Sequence, residues 1–400
     1  MRVLQINSVC GIRSTGRICT DIADVLRDGG DECSIAYGRE SVPGKYAEIA
    51  FRIGNDTDVK LHALASRVFD TAGFHSKDAT KKLLKFIDEY APDLIHLHNI
   101  HGYYLNVEIL FNYLKQKNTP VIWTLHDCWS FTGHCSHYAA VGCDRWRSGC
   151  YSCPQKGEYP KSILFDRSKK NYIKKKEIFC GVPNLTIVTP SRWLAEEVKR
   201  SFLGEYRVEV INNGIDLEVF KPTESDFRAR YGLENKKVVL GVATAWSERK
   251  GLSKFIELAG LLGNGYKVVL VGLTDEQTAN LPECVLGLAR TNSAEELAGI
   301  YSAADLCLSL SEEETMGLTV VEANACGTPA AVFDKTALPE LIDGRNGIVL
   351  TNTGLDHVSD KLKSLDVSNF NEEACINAAK KYEKQKKYEE YVKLYKEMLK

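Results

Sequence analysis

Short apolar runs recur along the whole chain, and between most of them the apolar positions change to helical spacing. Val3–Asn7, Cys33–Tyr37, Ile49–Ile53, Leu94–His98, Val121–Leu125, Leu185–Thr189 and Val208–Ile211 read as strands. A second series follows at Val238–Val242, Val268–Val271, Cys284–Leu288, Leu306–Leu310 and Ala330–Phe333. After the first run, Ile18, Ile22, Val25 and Leu26 repeat at helical spacing until Gly29-Gly30 ends the helix. Strands alternating with helices predict an α/β fold with parallel sheets covered on both faces. The 400 residues exceed one ordinary core, so two doubly wound domains are expected. No GxGxxG follows the first strand, so dinucleotide binding is not indicated.

The stretch Ser309–Phe333, SLSEEETMGLTVVEANACGTPAAVF, carries the densest chemistry. It leaves a strand, turns through an acidic loop, and enters a short helix at Gly317-Leu318 that Gly327 and Pro329 stop. A helix beginning at a strand's carboxyl edge presents backbone N–H groups and a positive dipole end, which suit a phosphate. Glu314 and Glu322 stand on either side, with seven residues between them. Carboxylates accept hydrogen bonds from hydroxyls, so the pair suits a sugar and a ribose joined by a diphosphate.

Composition narrows the class. The apolar share of 44% and charged share of 26% are those of a globular protein. A net charge of −2 argues against nucleic acid as partner. The opening MRVLQINSVCGIR enters a strand without a signal peptide's basic flank and long apolar core, and no run is long enough to span a membrane. With that, 13 cysteines point to reduced thiols or metal ligands in the cytoplasm. Basic stretches at Lys77–Lys85 and Lys169–Lys176 read as solvated helix faces able to meet an anionic lipid surface at the inner membrane face. Asp56-Thr57-Asp58, a DxD sequence, precedes a helical run and reads as N-capping.

Three clusters remain. His96 and His98 share one strand face and are candidate metal ligands, with His101 just beyond. His126-Asp127 ends an apolar strand, the edge where doubly wound sheets carry their ligands. Cys135, Cys143, Cys150 and Cys153 then fall in one irregular segment within 128–154. Its closing C-x2-C suggests a structural zinc, with His134, His137 and Cys128 as substitute ligands. Four thiolates leave no open position, so no catalytic metal is expected.

Glu314-x7-Glu322 with Gly317 inside it and Ala-Cys-Gly-Thr-Pro after it resembles the donor-site signature of family 4 retaining glycosyltransferases of the GT-B fold. The likeness extends to His126-Asp127, to the hinge-like Asn212-Asn213-Gly214-Ile215-Asp216 with Phe220 and Pro222, and to Arg249-Lys250-Gly251. Some polysaccharide-assembly members share the Cys-rich stretch. The resemblance implies two facing Rossmann-like domains with an interdomain cleft. Residues 1–216 would be the acceptor side, 217–375 the donor side, and 376–400 helices returning to the first domain. It implies sugar transfer with retention from a UDP- or GDP-linked donor to a glycan or lipid-linked acceptor, in capsule or exopolysaccharide synthesis.

It also implies roles. Lys250, with Arg249, would hold the diphosphate; Glu314 the sugar hydroxyls; Glu322 the ribose. Gly317, Leu318, Thr319 and the first-loop Gly16 would approach the phosphates, His126 the reacting sugar, and Asn99 or His101 the acceptor. Two features depart from the pattern. An arginine expected earlier in the Lys250 loop is missing, with Thr244 near its place. Thr336-Ala337 stand where two glycines usually precede Leu338-Pro339-Glu340. These departures keep open a non-catalytic nucleotide- or glycan-binding relative, beside a sugar-nucleotide epimerase of related fold.

Overall fold

The structure, a computed structural model, describes all residues from Met1 to Lys400. Two all-parallel sheets form. The first takes β1 (Arg2–Asn7), β2 (Glu32–Tyr37), β3 (Ala50–Arg52), β4 (Leu94–Leu97), β5 (Val121–Thr124), β6 (Leu185–Thr189) and β7 (Arg207–Val210), in the order β3-β2-β1-β4-β5-β6-β7. The second takes β8 (Lys237–Val242), β9 (Tyr266–Val271), β10 (Val285–Leu288), β11 (Leu306–Ser309), β12 (Ala330–Phe333) and β13 (Gly347–Leu350), in the order β10-β9-β8-β11-β12-β13. The central strands β4, β5, β6 and β12 are buried along their whole length, as strands covered on both faces must be. β13 is the one strand the apolar pattern missed. It is a four-residue edge strand that follows Asn346 directly, so its turn signals mask it.

The chain divides into two compact units, Met1–Asn212 with Gln385–Lys400, and Asn213–Lys384. The division falls within Asn212–Asp216 and has a visible cause in the second unit. Ile215 N–H donates to Tyr382 O at 2.8 Å and Lys384 N–H to Ile215 O at 2.9 Å, so the returning chain runs beside the hinge. A Cβ on Gly214 would meet Lys384 Cα at 2.4 Å; only glycine admits that crossing. Of the C-terminal stretch, only Gln385–Lys400 joins the first unit. The helix Glu372–Lys380 belongs to the second, where Ala379 and Tyr382 enter the core beside Val320 and Ala323.

The last helix, Lys384–Met398, supplies Tyr388, Tyr391, Leu394 and Tyr395 to the core of the first unit, against Ile22, Leu26 and Ile35. That stripe is more than packing. Tyr395 Oη lies 2.6 Å from His96 Nδ1, His96 Nε2 lies 2.7 Å from Thr124 Oγ1, and Thr124 donates to Tyr391 Oη at 3.2 Å. Asp56-Thr57-Asp58 acts at a helix start, with Asn55 as the cap: Asn55 and Asp58 exchange side-chain-to-backbone bonds around Asp56–Phe69.

The network around His96 yields the first prediction. Tyr395→Phe removes one partner of a fully buried imidazole, and leaving such a group unsatisfied costs about 1–3 kcal/mol. Denaturant unfolding followed with probes in each unit should show that loss in the first unit and leave the second unchanged.

Candidate active site

In each sheet the crossovers leave in opposite directions from one neighbouring strand pair, and ligands of doubly wound folds bind beyond that pair's carboxyl ends. In the second unit the pair is β8 and β11. The loop after β8 makes a single turn, Glu248–Lys250, and swings into the next helix at Gly251 with φ +83°. A Cβ there would sit 2.8 Å from Leu310 O, so glycine lets this loop press against the end of β11. The β11 loop answers with backbone bonds. Glu312 N–H donates to Arg249 O at 2.9 Å, and Arg249 Nη1 donates to Glu313 O at 2.7 Å. Arg249 therefore braces the acidic loop.

Lys250 Nζ pairs with Glu314 Oε1, and both side chains are largely buried. Burial pushes the Glu314 carboxyl up, but Lys250, then Arg249 and Ser311, hold it below its ordinary value. It is a carboxylate at neutral pH. Its backbone is held as tightly: Glu314 N–H donates to Thr336 Oγ1 at 2.9 Å, and the Thr336 hydroxyl donates to Glu314 O at 2.9 Å. Thr336 adopts φ +51°, a left-handed conformation that a β-branched residue rarely takes. Where the resembled pattern has glycine, this chain uses a threonine hydroxyl to latch the acidic loop.

Gly317, at φ +95°, starts the helix Leu318–Ala325, whose first-turn N–H groups have no acceptor within the helix. Glu322 stands one turn in, and its Oε2 accepts from the buried Tyr301 hydroxyl at 2.9 Å. The structure thus brings Arg249, Lys250, Glu314 and Gly317–Thr319 to one switch point, with Glu322 on the helix that begins there. Gly16 is placed differently from the expectation. It lies inside the helix Arg13–Asp28, where a Cβ would meet Gly11 N and Val9 Cγ2 at 3.1 Å. The close approach it permits is to the chain's own loop.

The first unit carries a second cluster. Gln5 Nε2 donates to Cys19 O at 2.8 Å, which leaves Gln5 Oε1 facing His98 Nε2 at 3.0 Å. His98 must then carry its proton on Nε2 and accept at Nδ1, which lies 3.2 Å from His126 Nε2. This sequence of bonds puts the His126 proton on Nε2 and makes Nδ1 its acceptor. Burial pushes the His126 ring down to about 4, against the pull of Asp127, so it is neutral at physiological pH. Beside it, His101 Nε2 stands 2.8 Å from Asp127 Oδ2, and Tyr159 Oη 3.1 Å from His101 Nδ1. Burial opposes ionisation of Asp127, yet His101, His137 and the Trp129 N–H bring it down to about 2. No local pattern marks Tyr159, which reaches His101 across 58 residues of chain.

Both metal expectations are corrected. No group of three or more His, Cys, Asp and Glu side chains is arranged to hold a metal ion. His96 and His98 are spent on the hydrogen bonds above. Cys135, Cys143, Cys150 and Cys153 line one small cavity with Thr132, Tyr138 and Trp146. Cys135 and Cys153 share a hydrogen bond that pushes the first thiol up and draws the second down, while Cys150 Sγ accepts the Gly133 N–H at 3.1 Å. The segment is held by other means. Tyr138 and Trp146 pack at 5.0 Å between ring centroids, and the buried Lys175 Nζ donates to Trp129 O at 2.7 Å and Thr132 O at 3.1 Å. Burial pushes Lys175 down to about 7, although Cys150 and Asp70 pull the other way.

A sequence profile described as Glycosyltransferase Family 4 matches residues 15–219, more than half the chain, and one described as Glycosyl transferases group 1 matches residues 223–382. The chain belongs to glycosyltransferase family 4. This family-4 chain is 35% identical over 133 residues to WcaC of Escherichia coli (strain K12), named for colanic acid biosynthesis; the match covers 32% of each chain. It is 31% identical over 166 residues to the processive diacylglycerol alpha-glucosyltransferase of Acholeplasma laidlawii, covering 38% of this chain and 49% of that one. The matches thus span about a third to a half of those relatives' length. Among solved structures, sucrose-phosphate synthase of Thermosynechococcus elongatus aligns with TM-score 0.72 at 15% identity, over 99% of this chain and 98% of that chain. HepE of Anabaena in complex with UDP aligns with TM-score 0.67 at 16% identity, over 99% and 100%. The two Rossmann-like sheets are those of the GT-B class.

The depressed His126 value yields the second prediction. Its folded pKa of about 4 lies below the ordinary 6.5, so unfolding at acid pH lets the ring take up a proton the folded state refuses. This contribution is complete above 6.5 and is lost as pH falls toward 4, a difference of about 3 kcal/mol. Unfolding free energies measured across that window should fall steeply for the natural chain and less for His126→Asn.

Proposed function

We propose that this chain transfers a sugar, with retention of configuration, from a nucleotide-sugar donor to a glycan or lipid-linked acceptor in cell-surface polysaccharide synthesis. The carrying observation is the Lys250–Glu314 pair at the β8/β11 switch point, three residues before the helix that begins at Gly317. UDP and UDP-glucose, found in complexes of the similarly folded HepE, are ligands of the chemistry these groups suit.

Departure of a nucleoside diphosphate places negative charge on the glycosidic oxygen. The N–H groups of Leu318 and Thr319 offer hydrogen bonds there, and the Lys250 ammonium offers charge once Glu314 turns from it to the sugar. Glu314, held ionised by Lys250, accepts from sugar hydroxyls, and Glu322 accepts from the ribose as it does from Tyr301. Arg249 keeps the acidic loop in place through Glu313 O. In the first unit, neutral His126 carries no charge of its own.

The roles of Lys250 and Glu314 separate in calorimetry and kinetics. Lys250→Ala should lower kcat by roughly 10²–10³-fold, as for other lost charge-stabilising donors. Glu314→Gln should weaken the nucleotide sugar and leave the free nucleoside diphosphate nearly unchanged. Equal loss for both ligands would place Glu314 away from the sugar, and full activity in Lys250→Ala would remove the lysine from the mechanism. Screening a panel of UDP- and GDP-sugars for thermal stabilisation identifies the donor.

A further inference from the structure

Of thirteen exposed large apolar side chains, six gather on two segments of the first unit: Leu61, Leu64, Phe69, Ile163, Leu164 and Phe165, each 45–64% exposed. The segments are joined. Ile163 N–H donates to Arg67 O at 2.7 Å and Phe165 N–H to Val68 O at 3.3 Å, so the second strip caps the last carbonyls of the helix Asp56–Phe69. The rings of Phe69 and Phe165 stack with centroids 5.8 Å apart. Ser162 N–H donates to Lys156 O at 2.9 Å and its hydroxyl to Phe165 O at 2.6 Å, while Asp70 accepts the Arg167 N–H at 2.7 Å. The loop is therefore fixed with its apolar side chains turned outward. Apolar side chains scattered singly over a surface need no explanation; a joined and braced set does.

Charge identifies what covers it. Lys60, Arg67, Lys161, Arg167, Lys169 and Lys170 are exposed around this set, and none makes an ion pair. The two carboxylates within these stretches are occupied: Asp70 is buried against His134, and Asp166 accepts from Cys153 and Ser168. At the far end of the helix, Asp56 pairs with Arg52 and Asp58 closes its cap. Beyond Ser168 the next helix continues the theme, with Lys169, Ile173 and Lys176 bordering a groove of about 740 Å³. Apolar side chains at a tip with unpaired cations on both flanks match an anionic bilayer, where the chains reach the acyl boundary and the cations meet phosphates. No helix is long and apolar enough to cross the membrane, so contact would be at its surface.

We propose that this braced ridge docks the first unit on an anionic phospholipid surface. The idea deepens the reading of a lipid-linked acceptor, which it rests on for its purpose, but vesicle binding is measured without any transfer. Failure of one therefore leaves the other standing. The full chain is sedimented with phosphatidylcholine vesicles with and without phosphatidylglycerol. Binding should require phosphatidylglycerol and weaken with salt. The triple variant Ile163→Ser/Leu164→Ser/Phe165→Ser should bind roughly tenfold more weakly or less still. Lys161→Glu/Arg167→Glu, which leaves every apolar contact in place, should lose the dependence on anionic lipid. Unchanged far-ultraviolet circular dichroism confirms folding of each. Equal binding of both variants and the natural chain, or equal binding to neutral and anionic vesicles, would overturn the proposal. So would a self-associated natural chain that the triple variant dissociates with no lipid binding in either, which assigns the ridge to a second copy.

Discussion

An ammonium and a carboxylate held at the ends of two neighbouring parallel strands organise the second unit. Lys250 and Glu314 come from loops 64 residues apart, and taking either charge out of water alone would be costly. The attraction of Lys250 keeps the Glu314 carboxyl ionised at the sheet's carboxyl edge. The surrounding backbone serves that arrangement. Gly251 lets the β8 loop press on Leu310, Arg249 ties it to Glu313, and Thr336 holds Glu314 from the other side. An anionic ligand arriving there meets a lysine whose present partner is a carboxylate able to turn to hydroxyl groups.

The first unit solves a related problem with neutral groups. His96, His98 and His126 are buried deeply enough to shed their charge, and the hydrogen bonds from Gln5 through His98 order the tautomer of His126. Asp127, 2.8 Å from His101 Nε2, keeps a separate charge beside it. The Cys-rich segment that follows is held by aromatic packing and by Lys175, whose Nζ lies 3.4 Å from the centroid of the Trp129 ring. That lysine reaches the carbonyls of Trp129 and Thr132, just after the edge where Asp127 sits. The packing of residues 128–153 thus bears directly on the geometry of the site.

The sequence by itself determined the architecture and which residues the second unit gathers at its switch point. Periodicity suffices for parallel sheets, because strands buried on both faces must be apolar throughout and helices between them must be amphipathic. It missed β13, whose four residues follow the turn at Asn346. Arg249, Lys250, Glu314 and Glu322 were legible because a doubly wound sheet delivers its loops to one edge, so local motifs suffice to place them. Gly214 was legible as part of a motif, but its reason, the crossing of Lys384, was not.

Only the tertiary structure decided what depends on groups far apart in sequence. Whether cysteine spacing becomes a metal site depends on how the thiols are arranged in space, and here no three of them with neighbouring His, Asp or Glu are arranged to hold an ion. His96 looked like a ligand until Tyr395, 299 residues away, arrived as its partner. The end of the chain divides between the two units because Ala379 and Tyr382 find the second core while Tyr388, Tyr391 and Tyr395 find the first. Spacing along a chain sets which residues share a face. Which partner fills that face is settled by packing, and packing is long-range.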